Sequence, residues 1–131
     1  MRFMILMIPD IYQSNKKLDP NFAPRMDELE KMGKFNLEME KAGVLKKAEG
    51  LHPLTVGARV AFAGGKPKVT DGPFVEAKEV LGGYCMIDVK SKEEAVNWMK
   101  RCPAAEGDVI EIRQIFEMDD YLGDVQKEAQ K

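Results

Sequence analysis

Histidine and cysteine are scarce in this chain of 131 residues: it holds one histidine, His52, and two cysteines, Cys85 and Cys102. The cysteines form no CxxC pair, so neither a disulfide framework nor a thiolate–imidazole zinc set has its ligands. The two thiols read as free and buried. A long apolar run is also missing. The N-terminal stretch MRFMILMIPD offers only Phe3 to Ile8 as an unbroken hydrophobic segment, too short for the core of a secretory signal or for a bilayer span. The expected location is the cytoplasm, with no membrane partner. Excess charge of one sign is absent too: 20 Lys and Arg stand against 22 Asp and Glu, a formal net charge of -2. No basic stripe marks a nucleic-acid surface, so no nucleic-acid partner is expected. The sequence has no dinucleotide fingerprint, nucleophile elbow, zincin helix or GxxxxGK[ST] phosphate loop. No cofactor and no metal is therefore expected.

What is present fits one domain over residues 1–131. Hydrophobic residues at 44% and charged residues at 32% are ordinary for a folded domain, and nine methionines add soft core volume. Phe3 to Ile8 reads as a strand that is apolar on both faces, Phe3, Ile5 and Met7 on one and Met4, Leu6 and Ile8 on the other. Ile11 to Pro24, with Ser14, Asn15 and Asp19, is a long loop. Met26, Leu29, Met32, Phe35 and Met39 recur at steps of three and four, predicting a helix from about Arg25 to Ala42 with one buried stripe. Pro24 suits its first turn and Gly43 its C′ position. Val44 to Leu51 is a strand ended by His52-Pro53. Ala58 to Ala63 alternates and returns through Gly64-Gly65 as a hairpin. After the Asp71-Gly72-Pro73 turn comes the strand Tyr84 to Val89. Ser91 and Glu94 form a capping box for a second helix with Ala95, Trp98, Met99 and Cys102 on one face, stopped by Pro103. Val109 to Phe116 is the last strand, and the charged tail, about 118–131, is expected to be mobile.

The order β-α-β(ββ)-α-β predicts an α+β fold: a ferredoxin-like antiparallel sheet with two helices on one face. Two helices cover one face only. The doubly apolar first strand leaves a second face needing cover, which a second copy laying its sheet on the first supplies by symmetry. A homodimer is expected.

Chemistry has few candidates. His52 is the one side chain whose ordinary pKa, about 6.5, suits acid–base work near neutrality; as a lone histidine it also reads as a satisfied turn residue. Glu49 lies three residues before it. The second constellation is Asp71-Gly72-Pro73-Phe74-Val75-Glu76-Ala77-Lys78-Glu79. Its first three residues make a turn, while Glu76, Lys78 and Glu79 read either as a solvated loop or as the polar wall of a cleft. Arg59 or Lys78 would hold a substrate carboxylate, and Tyr84 joins them as a candidate binding residue.

These residues carry a resemblance. Gly33-x-Phe35-Asn36, Ala42-Gly43-Val44-Leu45, Glu49-Gly50-Leu51-His52-Pro53, Thr70-Asp71-Gly72-Pro73-Phe74-x-Glu76-x-Lys78-Glu79, Leu81-Gly82-Gly83-Tyr84 and Arg101-Cys102-Pro103 occur in that order. Together they resemble the YCII-related, or DGPF-domain, family over nearly the whole chain. The resemblance implies a dimeric α+β barrel, two ferredoxin-like subunits closing their sheets face to face. Related small enzymes on that barrel act as lactone isomerases or dehalogenating lyases, and a histidine–aspartate pair suggested as catalytic falls on His52 and Asp71. Encoding beside extracytoplasmic-function sigma factors implies instead a regulatory or sensing module. Two functions therefore stand: a cofactor-independent enzyme acting on a small organic acid, or a non-catalytic small-molecule-binding module.

Overall fold

The computed structural model of the chain describes residues 1–12, 23–71 and 81–121. Most of the loop expected over 11–24, the stretch 72–80 with Glu76 and Lys78, and the tail from 122 lie outside the described residues. So does the side chain of Asp71.

Four strands make the main sheet: β1 (Arg2–Ile8), β2 (Leu45–Gly50), β5 (Gly83–Asp88) and β6 (Val109–Gln114), in the order β2-β5-β1-β6. β1 is antiparallel to both neighbours, with Ile5 opposite Cys85 on one side and Ile112 on the other. β5 separates β1 from β2, so each β-α-β passage crosses one strand and drops its helix on the same face. Those helices are α1 (Met26–Lys41) and α2 (Lys92–Met99). This is the α+β, ferredoxin-like arrangement expected from the element order. No helix of the described residues is long and apolar enough to cross a membrane.

The core lies between the helices and the face that carries Phe3, Ile5, Cys85 and Ile87; Phe35 and Met39 of α1 and Ala95 and Met99 of α2 close it. Phe3, Ile5, Met39 and Ile87 are almost wholly removed from water, each contributing about 1.5–3 kcal/mol by transfer. On the opposite face Met4, Leu6, Tyr84 and Met86 are half-buried.

Helix α1 ends as Gly43 allows. With Gly43 at φ 74°, its N–H donates to the Glu40 carbonyl at 3.0 Å and the Val44 N–H to the Met39 carbonyl at 2.9 Å. That is a Schellman closure, and Val44 and Met39 both enter the core behind it. At its other end Arg25 is the cap residue, so Pro24 precedes the helix instead of opening it. The expected buried stripe also divides: Phe35 and Met39 are buried, whereas Leu29 is 50% and Met26 79% exposed.

At α2 the Ser91 Oγ accepts from the Glu94 N–H at 3.1 Å, as a capping box requires. The Glu94 carboxylate, however, takes the Lys90 N–H at 2.8 Å, one residue further back than expected. The helix stops at Met99, so Cys102 lies beyond it. The Arg101 and Cys102 amides donate to carbonyls only three residues back, Trp98 and Met99, a tightening that suits a chain about to meet Pro103, since the residue before proline leaves the α region. The Arg101 guanidinium ion-pairs with Glu38 of α1 and lies 4.8 Å from the Trp98 ring centre.

The hairpin of β3 (Ala58–Ala63) and β4 (Lys66–Asp71) is a separate two-stranded sheet. Gly64 and Gly65 both take positive φ, 60° and 77°, as a two-residue turn of matching twist demands. Val60 stands opposite Val69 and Phe62 opposite Pro67, and Val60, Phe62 and Val69 are all exposed.

Candidate functional site

Because the stripe on α1 divides, its first half is free to face something other than the core. Leu29, Met32 and Asn36 form one wall of a cleft of about 1160 Å³ at the end of β1. The floor is the helix-side face of the sheet, Met7, Ala48, Cys85 and Ile110, and the far wall is the loop around Pro103 to Asp108. Apolar walls with a few polar groups are the usual make-up of a small-molecule site.

The far wall is held by one carboxylate. Asp108 Oδ1 accepts from the Asp10 N–H at 2.8 Å and its Oδ2 from the Ala105 N–H at 2.8 Å, tying the loop after α2 to the exit of β1. Gly107, at φ 88°, packs so closely that a Cβ there would lie 2.7 Å from Asp10 Oδ1. On the near wall Arg25 is engaged by Asp27 at 3.1 Å and Glu28 at 3.7 Å. Lys31 also lines the cleft and forms no ion pair among the described residues.

The floor holds both thiols' neighbourhood. Burial pushes the Cys85 thiol up to about 12, with Cys102 adding to the effect. Burial, then the charge of Asp108, pushes Cys102 up to about 11. Both are protonated near neutral pH, so neither is an activated nucleophile.

The expected site residues do not all converge. His52 is exposed and lines the cleft just beyond β2. Glu49 and Tyr84 face each other across β2 and β5, in positions that belong to the sheet face away from the helices, and the cleft reaches the strands there. Gly83 lets β2 come close at this point: a Cβ on it would sit 2.9 Å from the Glu49 carbonyl oxygen. Arg59 is exposed on the hairpin, opposite Thr70, and is not part of the cleft lining. The backbone of Asp71 ends β4 opposite Ala58; its side chain, Glu76 and Lys78 lie outside the described residues. Among the described residues no group of three or more His, Cys, Asp or Glu is placed to hold a metal ion.

Sequence reasoning missed the walls. Asp10, Lys31 and Asp108 are scattered along the chain, and nothing in a periodic stripe separates a residue facing a core from one facing a cleft. Leu29 is half-exposed at the cleft, whereas Met32 lines the cleft and also packs against the core.

The family model of the YCII-related domain matches residues 1–119, and the chain belongs to that family. It is also similar to an uncharacterised protein of Rhizobium meliloti (strain 1021), 38% identical over 60 residues. That match covers 46% of this chain and 48% of the relative, so the chain spans about half the relative's length in the match.

Proposed function

Taking membership of the YCII-related family as the premise, we propose that this chain binds a small organic acid in the cleft and acts on it by cofactor-independent acid–base chemistry, working as a homodimer. The observation that carries the reading is the position of the chain's one histidine in the lining of its apolar cleft. Neutral His52 takes a proton from a carbon next to a carbonyl or from an attacking hydroxyl and returns it to the product, a lyase- or isomerase-like step. Asp71 is its charge partner, fixing the tautomer and stabilising the imidazolium. Lys31, at the cleft wall, supplies the cation for the acid group, with Arg59 and Lys78, the cations expected from the sequence, as further candidates.

The test is a panel of small carboxylic acids and lactones, followed by proton NMR in deuterated buffer for exchange or product. For any turned-over compound, His52→Ala lowers turnover by about a hundredfold or more while the compound still raises the melting temperature. Undiminished turnover in that variant would end the proposal.

A second reading, a non-catalytic binding or regulatory module linked to sigma-factor signalling, is favoured by the exposure of His52, since acid–base catalysts gain from exclusion of water. It is the better account if compounds raise the melting temperature at saturation with no exchange and no product.

A further inference from the structure

Helix α1 carries two poor helix formers that its own stability does not call for. Beyond the first turn its residues are Glu, Lys, Met and Leu, apart from Gly33, Phe35 and Asn36. Phe35 is buried in the core. Gly33 and Asn36 instead line the cleft, and each lowers helix stability relative to alanine. Nothing in the fold itself asks for glycine at position 33: its φ is not left-handed, and a Cβ there meets no heavy atom of the described residues within 4 Å. Asn36 is half-buried. Among the described residues, its side-chain amide makes no hydrogen bond.

Leu29, Gly33 and Asn36 stand at i, i+4 and i+7, a spacing that sets them on one face of a helix, and all three lie along the cleft. The missing side chain at Gly33 opens a notch, one turn from Leu29 on one side and one turn from Asn36 on the other. Its lips differ in kind. Leu29 is apolar and half-exposed, whereas Asn36 offers an acceptor oxygen and an NH2 donor. Seven residues of helix span about 10.5 Å, room between the lips for one ring or a short carbon chain. Glycine is the residue that lets a ligand press against bare backbone. A hydroxyl group can donate to Asn36 Oδ1 or accept from its Nδ2, while a carboxylate can only accept.

We propose that Leu29, Gly33 and Asn36 form a subsite on the α1 wall that makes this a cleft for hydroxy acids, with the carbon body in the notch at Gly33 and the hydroxyl on the Asn36 amide. The proposal rests on the small-acid reading of the cleft and narrows it to a substrate class. The amide is the selector. An acid that covers the notch without a hydroxyl leaves Asn36 unpaired and shielded from water, which costs affinity.

The experiment measures dissociation constants of benzoate, 3-hydroxybenzoate, butanoate and 4-hydroxybutanoate by chemical-shift titration. It uses the full chain, Gly33→Ala and Asn36→Ala, with melting temperatures taken without ligand. On the parent, at least one hydroxy acid is expected to bind about three- to tenfold tighter than its plain counterpart. Asn36→Ala removes that preference and leaves the plain acid within about twofold of the parent value. Gly33→Ala raises the ligand-free melting temperature by about 3–5 °C and weakens the hydroxy acid about tenfold or more, because its methyl fills the notch. A Gly33→Ala protein that melts below the parent would mean that the chain's own packing fills the notch, and overturns the proposal. A parent that binds hydroxy and plain acids equally, a preference that survives Asn36→Ala, or undiminished binding by Gly33→Ala also overturns it and leaves the small-acid reading standing. If none of the four acids binds the parent, the small-acid reading falls and the subsite with it. Should Asn36→Ala fail to fold, the near-isosteric Asn36→Leu reads the same loss of preference.

Discussion

Replacing Gly83 by alanine tests the closeness of β2 and β5 where the sheet meets the cleft. The added Cβ would lie 2.9 Å from the Glu49 carbonyl oxygen and 3.5 Å from the Gly50 Cα. The first distance is about half an ångström inside ordinary contact, and both neighbours are backbone, so no side chain can swing away. β5 is held by β1 on its other side, which leaves β2 to move. Overpacking of this kind costs about 1–3 kcal/mol. The loss of unfolded-chain freedom returns about 0.4–1 kcal/mol. A net loss of about 1–2 kcal/mol lowers the melting temperature of a domain this size by about 3–8 °C. Gly50→Ala is the control: it is the neighbouring strand residue, its φ is not left-handed, and a Cβ there meets no heavy atom within 4 Å. It should melt at or slightly above the parent. Calorimetry reads both, and hydrogen exchange should report faster opening of the amides from Glu49 to His52 in the Gly83 variant only. A Gly83→Ala protein as stable as the parent, or a Gly50→Ala protein equally damaged, would refute the reasoning.

Two further outcomes follow from burial. Phe35→Ala should cost about 3–5 kcal/mol in urea unfolding, whereas Leu29→Ala, half-exposed at the cleft wall, should cost under about 1 kcal/mol and show its effect in ligand binding; equal losses would place Leu29 in the core. The native thiols titrate high, Cys85 at about 12 and Cys102 at about 11 against an ordinary 9.0. Above pH 9 the unfolded chain releases these protons and the native one holds them, so stability present below pH 9 declines as pH rises toward 11–12. For Cys85 the slope is at most about 1.4 kcal/mol per pH unit, reduced by solvent screening; a Cys85→Ala protein should show a shallower decline in denaturant titrations from pH 8.5 to 10.5, and an identical one would contradict the assignment.

Much of the fold was legible before any coordinates. Gly43 after a periodic stripe, Gly64-Gly65 between two alternating runs and Ser91 three residues before Glu94 each specify a local conformation through their own backbone freedom or hydrogen-bonding reach, and each is where it was expected, except that the Glu94 carboxylate takes the Lys90 N–H in place of the Ser91 N–H. The candidate site was less legible. His52 was visible because the chain has one histidine, yet Asp10, Lys31 and Asp108 carry no mark in the sequence. Their relation exists only because α2 ends early and the loop after it turns back to the exit of β1.

From the chain alone came element order and a first strand apolar on both faces, because propensity, capping and alternation act between residues a few positions apart. Tertiary structure decided which half of the α1 stripe met the core, which side of the sheet received Glu49 and Tyr84, and that the loop carrying Asp108 closes on the exit of β1. Those depend on how segments as distant as β1 and the loop after α2 meet, and that is set by the packing of the whole sheet.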